Sequence, residues 1–267
     1  MSLKKIRQTC IFSLLAVMVG NLESQTVEGI SGEIIPIPIT KNISNDKFII
    51  KNQNGLFKLV SLPFVRQDLL ITRHEIDVKV KWVNFGESKI TIKDDSKVNL
   101  SPSDQTRANR EALEIKTALS VSTNEITPSF KFIRPIPGVI TSPFGKQRFI
   151  NGQLRSAHLA LDIDGSIGTP IVAPLKGKVV LIGDFFYTGI TIILDHGYGL
   201  FSSYAHMSGV KVKVGDLIEQ SQTIGLVGAT GRVTGPHLHW TVYFDGNKVN
   251  PESLIQENYL TSIFKVS

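Results

Sequence analysis

Five of the chain's six histidines, His158, His196, His206, His237 and His239, lie in its second half, and several fall in patterns that could assemble a site. In His158-Leu159-Ala160-Leu161-Asp162-Ile163-Asp164 the apolar residues alternate, which reads as a strand with His158 and Asp162 on the face opposite the leucines. Only the small Ala160 stands between them, which leaves room for an ion, and an imidazole nitrogen with a carboxylate oxygen is a suitable pair for zinc. In the run from His237 to Phe244, the residues Leu238, Trp240, Val242 and Phe244 form an apolar face, and His237 and His239 project together from the other. Two imidazoles are costly to bury unpaired, so a metal or a polar cleft accounts for them. Ser202, Tyr204 and His206 share a face of a third strand. His74 reads as a hydrogen-bonded structural residue, and His196, in Asp195-His196-Gly197, as a hairpin-turn residue. A His-x-His pair is a weak metal signal alone and a strong one beside His-x-x-x-Asp on another strand.

The elements that must position these residues are mostly strands. Past residue 130 the chain is dense in glycine, β-branched residues and turn pairs such as Lys176-Gly177, Gly215-Asp216 and Asp245-Gly246, an all-β composition with many hairpins. Residues 27–100 also read as short strands. Phe48 to Ile50 and Leu56 to Val60 flank Asn52-Gln53-Asn54-Gly55 as a hairpin with Asn-Gly at its turn, Ile76 to Val83 alternates with period two, and 88–92 is a further strand candidate. Together they suggest a small β-sandwich. Residues 103–120 change character and predict a helix capped by Ser103, with a loose stripe of Ala108, Leu113, Ile115 and Leu119. Residues 122–128 read as a linker. The expectation is thus a mainly β chain with a β-rich domain at 27–122 and a second domain at 130–255.

Composition narrows the classes. The chain has 267 residues, 42% of them hydrophobic and 19% charged, with a formal net charge of +6 and one cysteine, which reads as globular and excludes an internal disulfide. The basic excess is spread along the chain, which suits an acidic polymer surface and argues against nucleic-acid binding. Residues 1–24 carry Lys4, Lys5 and Arg7 before a short apolar run at 11–20, as in a signal peptide. No Ala-x-Ala site marks the cut, and retention as an uncleaved anchor is the alternative. Cys10 precedes the apolar run, unlike a lipoprotein anchor. No later segment is apolar enough to span a bilayer. The expectation is export, to the periplasm or cell envelope, with no stable membrane span after signal cleavage.

At the histidine patterns the sequence resembles the lysostaphin-like, LytM-type zinc endopeptidases of bacterial cell walls. The likeness runs from about Pro135 to Pro251 and includes Ser142-Pro143-Phe144-Gly145, His158-x-x-x-Asp162, Gly168-Thr169-Pro170, Asp195-His196-Gly197-x-Gly199, Tyr204-Ala205-His206, Gly228-x-Thr230-Gly231 and Gly235-Pro236-His237-Leu238-His239. One departure is Ala160, where the family usually has glycine. The resemblance implies a compact antiparallel β domain with a peptide groove across its sheet. It implies one Zn2+ per chain on His158, Asp162 and His239, with a fourth position for water, as in catalytic sites. It implies His206 and His237 beside that water as general base and acid or as oxyanion stabilisers, the choice between them open. Gly228, Gly231 and Gly235 would let the chain turn tightly before the His237 strand. The N-terminal region is similar to the β-rich prodomain of some Gram-negative members, which implies a regulatory or targeting module.

The function so implied is hydrolysis of peptidoglycan peptide cross-links, with D-alanine–diaminopimelate bonds favoured over pentaglycine, and the peptide stems as partners. A regulatory protein is possible and is not identified by the sequence. A rival is a LytM-type binding module that activates a cell-wall amidase after losing its zinc residues; here all three ligands and both flanking histidines are present. A closed structural zinc site would need His206 or His237 as fourth ligand.

Overall fold

The computed structural model describes residues 26–40, 48–257 and 259; the segment read as a signal peptide lies outside them. The first strands are β1 (Thr26–Ile30), β2 (Ile34–Ile39), β3 (Ile49–Asn52), β4 (Gly55–Ser61), β5 (Leu69–Arg73) and β6 (Ile76–Lys81). They form two three-stranded sheets, ordered β1-β6-β5 and β2-β4-β3. Ile35, Ile37, Val60 and Leu62 from one sheet pack on Val78 and Val80 from the other, which gives the expected sandwich its core. The β3–β4 hairpin turns one residue earlier than Asn-Gly suggests. Asn52 pairs with Gly55, and the Asn52 side chain accepts the Asn54 N–H at 2.7 Å, so a local side-chain bond sets the turn.

Next come β7 (Glu87–Ile90) and the helix α1 (Pro102–Ala118). The cap is Ser101, not Ser103: its hydroxyl accepts the Asp104 N–H at 3.1 Å, and Pro102 takes the first turn, where its missing N–H costs nothing. The expected stripe is corrected too. Leu113 is 64% exposed, and the helix buries Ala108 and Glu111. Glu111 receives the Arg107 Nε at 2.6 Å and the Phe186 N–H at 2.7 Å, so a satisfied carboxylate does what an apolar contact was expected to do.

The remaining strands are β8 (Ile140–Ser142), β9 (Gln147–Ile150), β10 (Gln153–Leu154), β11 (Leu161–Asp164), β12 (Pro170–Val172), β13 (Gly177–Phe185), β14 (Gly189–Asp195), β15 (Leu200–Val210), β16 (Leu217–Ile218), β17 (Thr223–Val227), β18 (His237–Phe244) and β19 (Asn247–Val249), followed by α2 (Pro251–Leu254). The main sheet runs β16-β13-β14-β15-β18-β11-β8, with β17 joining β12 to β15 and β19 beside β18. The alternation read in β18 holds: Leu238, Trp240, Val242 and Phe244 are buried, with Leu161, Ile163, Leu194 and Tyr204 in the same core. Each such side chain contributes about 1.5–3 kcal/mol when fully buried.

That core does not stop at residue 130. Ile34 and Leu59 of the first sheets belong to it, and the Phe48 ring meets Phe130, Tyr198 and Phe244 edge-on, with centroids 5.3, 5.8 and 4.8 Å away. β7 pairs in parallel with β9. Among the described residues no helix is long and apolar enough to cross a membrane.

His196 occupies the turn between β14 and β15, fully buried. Its Nδ1 donates to the Lys176 carbonyl at 2.7 Å, and its Nε2 lies 2.7 Å from Ser202 Oγ, which is 2.6 Å from the Tyr204 hydroxyl. A carbonyl only accepts, so Nδ1 carries the proton and Nε2 accepts from Ser202. Burial lowers its pKa from 6.5 to about 4, against the Lys176 bond. The unfolded chain therefore binds a proton between pH 6.5 and 4 that the fold rejects, and stability falls with pH across that window. The slope from this group is about 1.4 kcal/mol per pH unit. Urea midpoints of the metal-free protein should fall from pH 6.5 to 4, and more shallowly in His196→Gln. Equal slopes in the two proteins would rule out this linkage.

Candidate metal centre

The site grows from the pairing of β11 with β18. Asp162 stands opposite His239 and Asp164 opposite His237, and residues directly opposite in an antiparallel pair share a face. Their carboxylate and imidazoles therefore leave the sheet on one side, while Leu161, Ile163, Leu238 and Trp240 fill the other. His158 reaches the same point by another route. It precedes β11 and is not on a strand, so the alternation read from His158 to Asp164 does not place it. Its backbone is tied to the 144–146 turn, with His158 N–H to the Lys146 carbonyl at 2.8 Å and Gly145 N–H to the His158 carbonyl at 2.7 Å.

Three ligand atoms converge. His158 Nε2 lies 3.0 Å and His239 Nδ1 2.7 Å from Asp162 Oδ1, and the two nitrogens are 3.3 Å apart. Ligands about 2.0–2.1 Å from a tetrahedral zinc stand about 3.3 Å from each other, so the cluster has nearly the right span. The supporting bonds agree with this. His158 Nδ1 is 3.2 Å from the Pro143 carbonyl and 2.9 Å from Ser142 Oγ, so it carries the proton and leaves the Nε2 lone pair facing inward. Among the described residues, His158, Asp162 and His239 form the group that could hold a metal ion. Burial works against ionisation of Asp162, but the neighbouring imidazoles of His239 and His158 outweigh it and hold its carboxyl well below the usual range.

His206 required a break in β15. Ala205 stands opposite His239, so regular alternation would send His206 into the core with Tyr204. A bulge prevents that: Ile192 pairs with Tyr204 but Ile190 with Met207, so Ala205 and His206 together oppose one residue of β14. His206 takes φ +63°, a conformation costing on the order of 1–3 kcal/mol in a non-glycine residue. Its ring consequently lies 4.9 Å from that of His237 and 5.6 Å from that of His239. The shared face expected for Ser202, Tyr204 and His206 is thus corrected: Ser202 and Tyr204 bond with His196 inside the core, and His206 turns to the cleft.

His206 Nδ1 donates to the Thr230 carbonyl at 2.8 Å and His237 Nδ1 to the Gly235 carbonyl at 2.9 Å, so each neutral ring leaves Nε2 free to accept a proton. His237 Nε2 is 3.8 Å from Asp162 Oδ1. Burial, with the charges of His239 and His237, lowers the His206 pKa to about 3. Burial likewise lowers His239 to about 4, against the pull of Asp162, so both are neutral near pH 7. The fifth neighbour is Arg148, whose Nη2 donates to Asp162 Oδ2 at 3.3 Å. Sequence reasoning missed it; the β9 register that aims it has no signature in residue spacing. His74 lies outside this cluster.

The sequence profile of Peptidase family M23 matches residues 156–251. The chain is 38% identical over 112 residues to the peptidoglycan DD-endopeptidase ShyA of Vibrio cholerae, covering 42% of this chain and 26% of that one. It is 34% identical over 115 residues to the DD-carboxypeptidase/endopeptidase Mpg of Neisseria meningitidis, covering 43% and 26%. The chain therefore spans about a quarter of the length of these curated relatives. The crystal structure of a candidate M23 peptidase from Pseudomonas aeruginosa superposes with a TM-score of 0.63 at 28% identity, covering 85% of this chain and 94% of that one.

Of the three glycines expected to shape the loop before β18, Gly231 has φ +76°, and Gly235 has open space around it and no positive φ. Gly228 is the crowded one. A Cβ there would lie 2.4 Å from Ser208 N, 2.5 Å from Met207 C and 2.8 Å from the His206 carbonyl oxygen, all backbone. Gly228→Ala must push the loop off β15 beside His206, at about 1–3 kcal/mol. Urea unfolding should show that loss, whereas an unchanged midpoint would mean the loop yields freely.

Proposed function

We propose that His158, Asp162 and His239 hold one zinc ion and that the cleft around them hydrolyses peptide cross-links of bacterial peptidoglycan, a reading supported by the match of residues 156–251 to Peptidase family M23. The observation that carries this reading is the convergence of two imidazole nitrogens and one carboxylate oxygen, 2.7 to 3.3 Å apart, on one face of the sheet. Bound there with three protein ligands, zinc supplies a Lewis acid that polarises a water and the scissile carbonyl. His206 and His237 flank it as proton carriers. Each has its Nδ1 proton committed to a backbone carbonyl, so each Nε2 can take a proton from the attacking water and return it to the departing amine. His237 has 18% of its side chain exposed, whereas His206 is buried.

The bond favoured is D-alanine–diaminopimelate, supported by relatives named for DD-endopeptidase activity. Such a substrate places the enzyme in the cell envelope, as the N-terminal segment suggests. A glycosidase commonly needs two carboxylates flanking the sugar bond, and Asp164 is the only carboxylate near Asp162 in the motif cluster. The 27–122 region has no paired catalytic groups in its sequence, and we assign it a regulatory or targeting role.

Asp162→Ala should lose zinc and activity while keeping the β fold; full zinc occupancy in that variant would reject the ligand set. His206→Ala and His237→Ala should retain zinc and lose about 100- to 10,000-fold in turnover, and near-normal turnover would remove that residue from the mechanism. On cross-linked diaminopimelate peptidoglycan, dimeric muropeptides should become monomers with intact sugars, a reaction stopped by a chelator and restored by zinc. New reducing ends would indicate a glycosidase. Stimulation of an amidase without any bond cut would establish the binding-module reading.

A further inference from the structure

Three guanidinium groups, of Arg148, Arg155 and Arg232, lie near one another, the first of them on the metal-ligand cluster, and the other two have no carboxylate partner among the described residues. Arg148 donates to Asp162 Oδ2. Arg155, three residues before His158, donates through Nη2 to the Val98 carbonyl at 3.2 Å and through Nη1 to the Leu154 carbonyl at 3.4 Å, and it also bonds the Gln153 side chain. Arg232 comes from the opposite side. It follows Thr230, whose carbonyl holds His206, and its own N–H donates to the Tyr187 carbonyl at 2.9 Å. Its guanidinium stacks 4.3 Å from the Tyr187 ring centroid and donates to the Lys97 carbonyl at 3.4 Å.

Lys97 and Val98 are consecutive, so their Cα atoms are about 3.8 Å apart and the two guanidinium groups that reach them are neighbours. Both arginines are half-buried. Burial, and then the charges of Arg148 and Arg155, weaken the hold of Arg232 on its proton, against the pull of Tyr187. Half-buried cations crowded together favour an anion. What they have is neutral: the Gln153 side-chain oxygen and the Tyr187 ring, and carbonyls at 3.2 to 3.4 Å, where charge-assisted bonds usually measure about 2.7–2.9 Å. Asp162 bonds Arg148 and neither of the other two.

We propose that Arg155 and Arg232, with Arg148 behind them, form a subsite for a free carboxylate of the substrate beside the scissile amide, taking over the donors now given to the Lys97 and Val98 carbonyls. The inference rests on the peptidoglycan reading and names its substrate class: a stem peptide with a free α-carboxylate on the residue at the cross-link, in preference to its carboxamide. Arginine suits this task because its fork matches a carboxylate with two parallel bonds. A hydrogen bond between charged groups is worth about a factor of ten or more in binding.

The test uses the full zinc-loaded chain and two synthetic cross-linked dimers that differ only in that group, carboxylate or carboxamide. The wild type should cut the acid with kcat/KM at least about tenfold above the amide, a preference that shrinks as salt rises. Arg155→Gln and Arg232→Gln should each lose most of that preference through KM on the acid and leave the amide within about twofold. Equal rates on the two dimers in the wild type, a comparison that needs no variant, would overturn the subsite and leave the endopeptidase reading intact. So would variants that lose both substrates alike. A wild type that cuts neither dimer would bring down the functional reading and the subsite with it.

Discussion

A buried carboxylate must be surrounded by donors or bound to a cation, and Asp162 is the carboxylate around which this molecule is arranged. Its Oδ1 takes His158 and His239, with His237 at 3.8 Å, and its Oδ2 takes Arg148. Removing those neighbours one by one would leave a charge in a low-dielectric setting, at a cost of several kcal/mol. These neighbours come from β9, the 155–160 segment and β18, so one side chain ties two nearby stretches to a third that is remote in sequence. The same convergence that stabilises the ionised form is what a divalent metal requires: lone pairs facing one point, each imidazole oriented by a bond from its other nitrogen.

The backbone serves that point unevenly. β11 and β18 need no distortion, because their register puts Asp162 opposite His239 and gives the rest of each strand to the core. β15 does. Its neighbours Ser202 and Tyr204 are committed to the interior through His196, and His206 reaches the cleft only through a bulge and a positive φ. Strain of this kind survives only where surrounding contacts over-determine it. Here the His206 N–H is held by the Thr188 carbonyl and its ring by the Thr230 carbonyl, while Thr230 Oγ1 donates to the Met207 carbonyl next door.

This difference explains what could be read from the sequence. The apolar face of β18, the pairing of two histidines against it and the all-β character follow from period-two alternation, which a pleated strand enforces residue by residue. His158 and His206 do not obey it: one lies off the strand, and the other sits past a bulge that reverses the face. His158 was paired with Asp162 through an alternation it does not follow, and the place of His206 was legible from the family motifs alone, since an extra residue in one strand is a property of the pair, not of either sequence. The helix misreading has a similar cause. A stripe of apolar residues predicted the buried face of α1, but the partner surface offered the Phe186 N–H, and Glu111 was the residue able to meet it. Arg148 carried no signal at all, because a lone arginine on a short strand is most often solvated.

The strands and helix before residue 120 are also part of the cleft's construction. β7 extends the hairpin of β9 and β10, and Asn151 bonds both the N–H and the carbonyl of Ile92. α1 grips the far hairpin, where Glu111 holds the Phe186 N–H and Arg107 reaches the Asp184 carbonyl. Between these anchors, Lys97 lies 4.4 Å from the Phe186 ring centroid, and the carbonyls of residues 97 and 98 receive one arginine from each side. Hydrogen bonds from neutral carbonyls to half-exposed guanidinium groups are individually weak, while the Phe48, Phe130 and Phe244 cluster and the Ile34 and Leu59 contacts are apolar and buried. The N-terminal sheets are therefore held to the second domain by its core, and the 97–98 segment by weaker polar bonds. A firm base and an exchangeable rim keep the metal-ligand cluster fixed while the polar bonds beside it can be remade.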